Sequence, residues 1–188
     1  RVIVRDADDS TLAQLSVVGA TRELLRLRHG PVGLAFGGEI RREQLQQRPD
    51  PLGATGDIIG SQPTAVTRAQ RKIAGAFVEL KVPVLPALEA SASVRHEKFL
   101  SSHRDTTVPK FGLRWQPVAR QLTVRSSLSQ GFREPSLFEL YSSPISVLSA
   151  IVDPRDGYVE PEQPITLRGN PRLQPEKTDY FNAGFIWS

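Results

Sequence analysis

Ser101, His103 and Asp105 fall within five residues and carry the side-chain types of a nucleophile, a base and an orienting carboxylate. No Gly-x-Ser-x-Gly elbow accompanies them, and close sequence spacing is a poor source of triad geometry, so they read as a polar loop tip. Asp6, Asp8 and Asp9 could offer oxygens to a hard cation. The glycine and the distal Glu of a calcium loop are missing, which leaves a solvated turn. His29, His96 and His103 lack helical zinc spacing and no Cys is present to assist, so they read as surface or lumen histidines. "GPVGLAFGG" lacks both the dinucleotide and the Walker pattern and reads as a strand that needs close packing. These residues offer no coherent acid–base, nucleophilic, metal or cofactor chemistry, and the expectation is a non-enzyme without a bound cofactor.

The remaining conspicuous segment is "LTVRSSLSQGFREPSLFELY", whose first half alternates apolar and polar residues and whose second half does not. Glu134 precedes Pro135 and is biased toward extended backbone, which helps end a strand. Ser136 and Glu139 have capping-box spacing, so Ser136 to Tyr141 is expected to form one helical turn. An ordinary capped turn would account for the spacing by itself.

The 188 residues suffice for one sizeable domain. Lys and Arg (24) barely outnumber Asp and Glu (20) and are scattered, with no aromatic-interleaved basic stripe for nucleic acid. Hydrophobic content is 39%, below the usual globular range, while Pro (15) and Gly (14) are plentiful. The absence of Cys removes disulfides and thiolate metal sites. The chain begins at Arg1 and contains no Met, so a mature piece or an excised part of a larger chain is expected. No run of 18 apolar residues suggests a membrane-spanning helix.

Period two organises the rest. Strands are expected at about 13–27, 31–44, 68–84, 87–99, 107–117, 121–131 and 179–187, with "RVIVRD" as a possible tail of another. Each is long enough to cross a bilayer at a tilt, which takes about 9–11 residues. The gaps between them run short, long, short, moderate, short and very long, the last from Phe132 to about Thr178. Tight turns at one end and long loops at the other suit an up-and-down membrane barrel better than a Greek-key sandwich.

Within strands, Val78, Leu80, Val82 and Val84 oppose Phe77, Glu79 and Lys81, and Leu88, Ala90, Ala92 and Val94 oppose Glu89, Ser91, Ser93 and Arg95. Phe111, Leu113 and Trp115 oppose Gly112, Arg114 and Gln116. A barrel with lipid outside and water inside gives this split, and so does a half-buried soluble sheet. Trp115 and Trp187 sit at the short-turn ends of their strands, where an interfacial aromatic girdle would lie.

The wording of two segments goes further than their spacing. "GFREPSLFELY" (Gly131, Phe132, Arg133, Pro135, Ser136, Leu137, Glu139, Leu140, Tyr141) and "NPRLQPEKTDYFNAGFIW" (Asn170, Pro171, Leu173, Pro175, Glu176, Lys177) together resemble the C-terminal half of TonB-dependent outer-membrane receptors. "GPVGLAFGGEIRRE" and "VPKFGLRWQPV" look like earlier barrel strands of that family. The resemblance spans about Pro31 to the end, and Glu134 departs from it, since the family more often shows a small residue there. It implies an all-β, antiparallel up-and-down transmembrane barrel of about 22 strands. Of these the chain would supply about seven or eight, with short turns on one side, long loops on the other, and the N-terminal plug domain absent. It further implies uptake of a scarce nutrient, a ferric siderophore or a vitamin, across the Gram-negative outer membrane, energised through the TonB complex. Implied partners are that complex, the plug, the nutrient and outer-membrane lipid. The alternative is a soluble all-β sandwich binding module.

Three structural expectations follow. Val82 should lie opposite Ala90 and Leu80 opposite Ala92 across the Leu85-Pro86-Ala87 turn. Leu113 should lie near Val124 across the Val118-Ala119 turn. Glu79, Lys81, Arg95, Arg114 and Arg125 should share the face opposite the apolar residues and look into the lumen, with Glu79 and Arg95 as diagonal neighbours that pin the register.

Overall fold

The computed structural model describes residues 3–55, 63–102, 104–118, 121–152, 154–155, 157 and 159–187. His103, Ala119 and Arg120 therefore lie outside the described residues. Nine strands and two short helices account for the described elements: β1 (Ala7–Leu27), β2 (Gly30–Arg48), α1 (Pro51–Thr55), β3 (Thr67–Leu85), β4 (Leu88–Phe99), β5 (Arg104–Val118), β6 (Leu122–Arg133), α2 (Leu137–Tyr141), β7 (Ile145–Val152), β8 (Val159–Leu167) and β9 (Glu176–Trp187). Strand makes up 73% of the structure and helix 6%, so the fold is all-β.

One sheet holds seven strands in the order β1-β2-β3-β4-β5-β6-β9, and a second holds the hairpin β7-β8. From β1 to β6 each strand lies beside the next in sequence, and β9 joins beside β6 after the β7-β8 hairpin, which forms its own sheet. Gly30 closes the β1–β2 turn with φ of 141°, a backbone conformation that side chains with a Cβ rarely adopt.

The β3–β4 pairing is antiparallel, with Val82 opposite Ala90 and Leu80 opposite Ala92 as the alternation requires. In the β5–β6 pair Leu113 lies opposite Ser126, and Trp115 takes Val124. Leu113 and Val124 are thus near each other as diagonal neighbours on one face, and the ladder is irregular between Trp115 and Val118. Residues 3–6 form no strand, so "RVIVRD" is not a strand tail among the described residues. The stretch after Phe132 is also more ordered than a plain loop, since it contains α2 and the β7-β8 hairpin.

The chain divides into two compact units, one of residues 1–12, 43–70 and 135–174 and the other of residues 13–42, 71–134 and 175–188. In the first, Leu137 and Leu140 of α2 are buried, as is Thr67. The Thr67 hydroxyl accepts from the Ser143 amide at 3.1 Å. In the second, Ile73 and Phe99 are the most enclosed side chains and lie directly opposite each other on β3 and β4. Large apolar side chains elsewhere are mostly exposed, among them Phe36, Phe111, Leu113, Trp115, Leu128, Phe181, Phe185 and Trp187. An exposed apolar surface of this extent marks an interaction face rather than the coat of a water-soluble monomer.

Candidate functional site

Directly opposed residues of neighbouring strands share a face, so the registers sort the side chains of β3 to β6 and β9. Glu79 is opposite Ser93 and Lys81 opposite Ser91. Arg95 is opposite Phe77, Glu89 opposite Arg114, and Arg114 opposite Arg125. The five charged residues singled out by alternation therefore occupy one face of the sheet. The other face presents Leu80, Ala92, Phe111 and Leu128, which follow one another across β3 to β6, and then Phe181 of β9.

On the polar face the strongest electrostatic feature is a four-residue network that sequence reading did not assemble. Arg41 donates through Nη1 to Glu39 Oε1 and through Nη2 to Glu97 Oε2, both at 2.9 Å. Arg95 donates through Nη2 to Glu39 Oε1 at 2.5 Å and through Nε to Glu97 Oε1 at 2.8 Å. Only 4% of the Glu97 side chain is exposed, so its charge is affordable only because two guanidinium groups meet it. Arg95 is a diagonal neighbour of Glu79, as the register requires, yet its ion partners are Glu39 and Glu97. The signal was present in the shared parity of Glu39 with Arg41 and of Arg95 with Glu97, but alternation does not tell which strands are adjacent. Lys81 meets Glu89 at 3.1 Å.

The two halves of the motif come together. Phe132 packs edge-on against Phe99, with ring centroids 6.3 Å apart at 84°. Gly131, Phe132 and Arg133 of β6 lie opposite Thr178, Lys177 and Glu176 of β9. Arg133 donates to Glu176 through Nη2 at 2.7 Å and Nε at 3.1 Å. Both side chains are more than half exposed, so this pair fixes register more than it stabilises.

In the first unit, Ser136 caps α2 as its spacing requires. Its hydroxyl accepts from the Glu139 amide at 3.2 Å, and the Glu139 carboxylate accepts from the Ser136 amide at 2.7 Å. The second motif docks where this helix ends. The Gly169 amide donates to the Ser142 carbonyl (3.0 Å) and the Asn170 amide to the Glu139 carbonyl (2.9 Å). A Cβ on Gly169 would lie 2.6 to 2.8 Å from the backbone of Ser142, Tyr141 and Leu140, so only glycine permits this approach. Asn170 then turns the chain, its Oδ1 accepting from the Arg172 amide at 3.0 Å and its carbonyl from the Leu173 amide at 3.1 Å. Leu137 and Leu140 are the buried anchors of the turn, whereas Tyr141 is exposed.

Glu134, the departure from the family's wording, is a buried carboxyl with 7% of its side chain exposed. Its Oε1 lies 3.8 Å from Arg104 Nη1, and its Oε2 has no hydrogen-bond partner among the described residues. Burial pushes its pKa up, with Arg104 and Arg71 pulling in the other direction.

Of the residues first weighed for catalysis and metal binding, Ser101, Asp105, His96, Asp6, Asp8 and Asp9 make local polar contacts. Ser101 Oγ accepts from the Lys72 amide at 3.2 Å. Asp105 lies 4.0 Å from His96 Nε2, and His96 Nδ1 is 2.8 Å from Thr107 Oγ1. Asp6, Asp8 and Asp9 accept from the Asp50 amide, Gln47 and Arg48. No group of three metal-ligating side chains occurs among the described residues.

Three solved structures place this architecture. The siderophore receptor PirA of Acinetobacter baumannii superposes with a TM-score of 0.69 at 16% identity, over 95% of this chain and 25% of that one. A variant of the ferric enterobactin receptor PfeA of Pseudomonas aeruginosa gives 0.70 at 20% identity with the same coverage. Another PfeA variant, in complex with enterobactin, gives 0.69 at 19%. The chain thus spans about a quarter of each receptor, and at these identities the likeness establishes the fold: the sheet is part of an antiparallel β-barrel. No curated protein matches the chain. The family model "TonB dependent receptor-like, beta-barrel" matches residues 5–188, nearly the whole length, and the chain belongs to that family.

Proposed function

We propose that this chain is the C-terminal portion of the barrel of an outer-membrane receptor that imports a scarce nutrient in a Gram-negative bacterium. The observation that carries the reading is the division of one seven-stranded sheet into two faces, apolar and exposed on one side, charged and hydrogen-bonded on the other. Such a sheet satisfies its backbone only in a closed barrel, and its side chains only with lipid outside and water inside. On this reading Glu79, Lys81, Arg95, Arg114 and Arg125 face the lumen. Strands neighbouring β1 and β9 complete a barrel of about 22 strands that encloses a plug domain.

The substrate class we infer is a ferric siderophore, a reading supported by family membership and by neighbours that are siderophore receptors, one of them holding enterobactin. Energy would come through TonB, as is general for the family, and the protein would bind and release its cargo without chemical conversion. Uptake of radiolabelled ferric siderophores by iron-starved cells tests this. Uptake of at least one siderophore should vanish on deletion of the gene, return with the intact gene, and fail when TonB is inactivated. Uptake of every tested siderophore unchanged by the deletion would refute the substrate class.

A further inference from the structure

We propose that the apolar face of the sheet carries, at its long-loop end, a seat for the phosphate-bearing headgroup of an anionic outer-leaflet lipid. The proposal rests on reading that face as the lipid-facing outside of a barrel. The two ends of the face differ. From the row of Leu80, Ala92, Phe111 and Leu128 toward the short turns, β3 to β6 present no charged residue on this face, and the last full row is Leu88, Trp115 and Val124. Toward the long loops the same face becomes charged within four residues, with His96 opposite Thr107 and then Lys98 opposite Asp105. Lys72 continues the change on β3, where its carbonyl accepts from the Leu100 amide at 2.9 Å.

A third cation joins these two lysines. Cβ positions of Gly33, Gly37 and Gly75 approach Lys81, Phe77 and Glu39 respectively, and this antiparallel step brings Arg42 of β2 beside Lys72. Arg42, Lys72 and Lys98 are all exposed and come from three adjacent strands. Like charges on neighbouring strands repel, so the cluster opposes folding unless an anion meets it. Lys72 and Lys98 form no ion pair among the described residues. The carboxylate of these rows, Asp105, lies 4.0 Å from His96 although Lys98 is directly opposite it. Ala74 and Ala76 face Lys98 and His96 across the β3–β4 ladder, which leaves a shallow floor among the long side chains. Lysine and arginine lay their stems along apolar surface and extend their charged ends toward the interface, and both bind phosphate through charge-assisted hydrogen bonds.

Depth chooses the headgroup over the acyl chains. His96 is four residues from Ala92 in one direction, and Trp115 is four residues from Phe111 in the other, so the shared row lies midway between them. Each step is about 10 Å along the membrane normal at roughly 3.4 Å per residue and a tilt of roughly 40°. The apolar band is about 25 Å tall, so His96 marks its edge and Lys98, two residues on, stands about 3 Å beyond it. Long loops of such barrels are extracellular, so the lipid within reach is that of the outer leaflet. Water alone explains neither the sign of the cluster nor its restriction to one end, whereas an anionic headgroup on one side of the bilayer explains both.

The test uses the intact receptor in neutral detergent micelles doped with diphosphorylated lipid A, with the same lipid stripped of its phosphates, or with phosphatidylcholine. Lipid retained by the receptor is read by native mass spectrometry, alongside the melting midpoint. The diphosphorylated lipid should be retained and should raise the midpoint more than either control, and added salt should weaken the effect. Lys72→Gln and Lys98→Gln should each weaken its retention about fivefold, the effect of one basic residue at an anionic surface. Lys98→Arg should keep the retention, and Lys110→Gln, on the interior face, should not change it. If a glutamine variant fails to assemble, Arg42→Gln provides the same comparison. Equal retention of the phosphorylated and stripped lipids, or unchanged retention in the glutamine variants, overturns the seat. Soluble pyrophosphate that binds as tightly as the lipid would assign the cluster to a free anion and overturn it as well. The barrel reading is judged separately by the face-specific substitutions below and would survive either result.

Discussion

Placing an arginine at Leu80 asks the sheet which of its faces meets lipid. Leu80 is on the apolar face, directly opposite Ala92, which is itself opposite Phe111 on β5. Phe111 is four residues from Trp115, the exposed aromatic near the short-turn end. At about 3.4 Å per residue and a strand tilt of roughly 40°, that separation is about 10 Å along the membrane normal. The apolar band of such barrels is about 25 Å tall, so Leu80 sits near its middle, where an outward Arg costs roughly 2–4 kcal/mol. Against a net stability of about 5–15 kcal/mol this is a large loss. Ser93→Arg introduces the same side chain on the other face, opposite Glu79, and should cost little. The assay is the fraction of receptor recovered folded in outer-membrane preparations, read from the faster gel migration of unheated barrels. Leu80→Arg should reduce that fraction severely and Ser93→Arg should leave it near wild type. Equal tolerance of the two substitutions would refute the assignment of faces.

Three further outcomes are expected. Ser136→Ala removes the cap of α2 and should cost about 1 kcal/mol locally, seen as faster amide exchange over residues 137–141 with the barrel intact. Gly169→Ala should be worse, because its Cβ meets backbone that cannot swing aside, and proteolysis of the 135–174 region should increase. Glu134→Gln should change how stability depends on pH. Burial raises the folded-state pKa of Glu134 above its unfolded value, so its favourable contribution is present below the unfolded pKa and is lost as pH rises through the raised one. The Gln variant should therefore gain in melting midpoint over wild type as pH increases through that window, and a constant difference across pH would contradict the buried-carboxyl account.

The parts of this structure legible in the sequence are those governed by period two and by local capping. Alternation in "FVELKVPV" and "LEASASVRHEKF" fixed which residues share a face, and with the short Pro86-Ala87 turn it fixed the β3–β4 register. The Ser136/Glu139 spacing specified a local reciprocal hydrogen bond that needs no distant partner. The β7-β8 hairpin was hidden because "ISVLSAIV" is largely apolar without a clean alternation and "VEPEQPITL" contains two prolines, which ordinarily demote a strand. The Glu39–Arg95 contact joins residues 56 apart, and no local pattern encodes which strand lies beside which after a long loop. The surroundings of Glu134 were equally invisible, since no local pattern says that Arg104 of β5 comes within 3.8 Å of it.

The account stands most directly on the alternation of environment along β4, and cysteine scanning measures it, helped by the absence of native Cys from these 188 residues. Single substitutions Ala90→Cys, Ser91→Cys, Ala92→Cys, Ser93→Cys and Val94→Cys in the intact receptor, each carrying a fluorophore, are exposed in bilayers to a quencher confined to the lipid tails. Positions 90, 92 and 94 should be quenched strongly and 91 and 93 weakly, a strict period of two. Uniform quenching along the strand, or strong quenching at 91 and 93, would contradict a barrel whose apolar face meets lipid and whose charged face lines its interior.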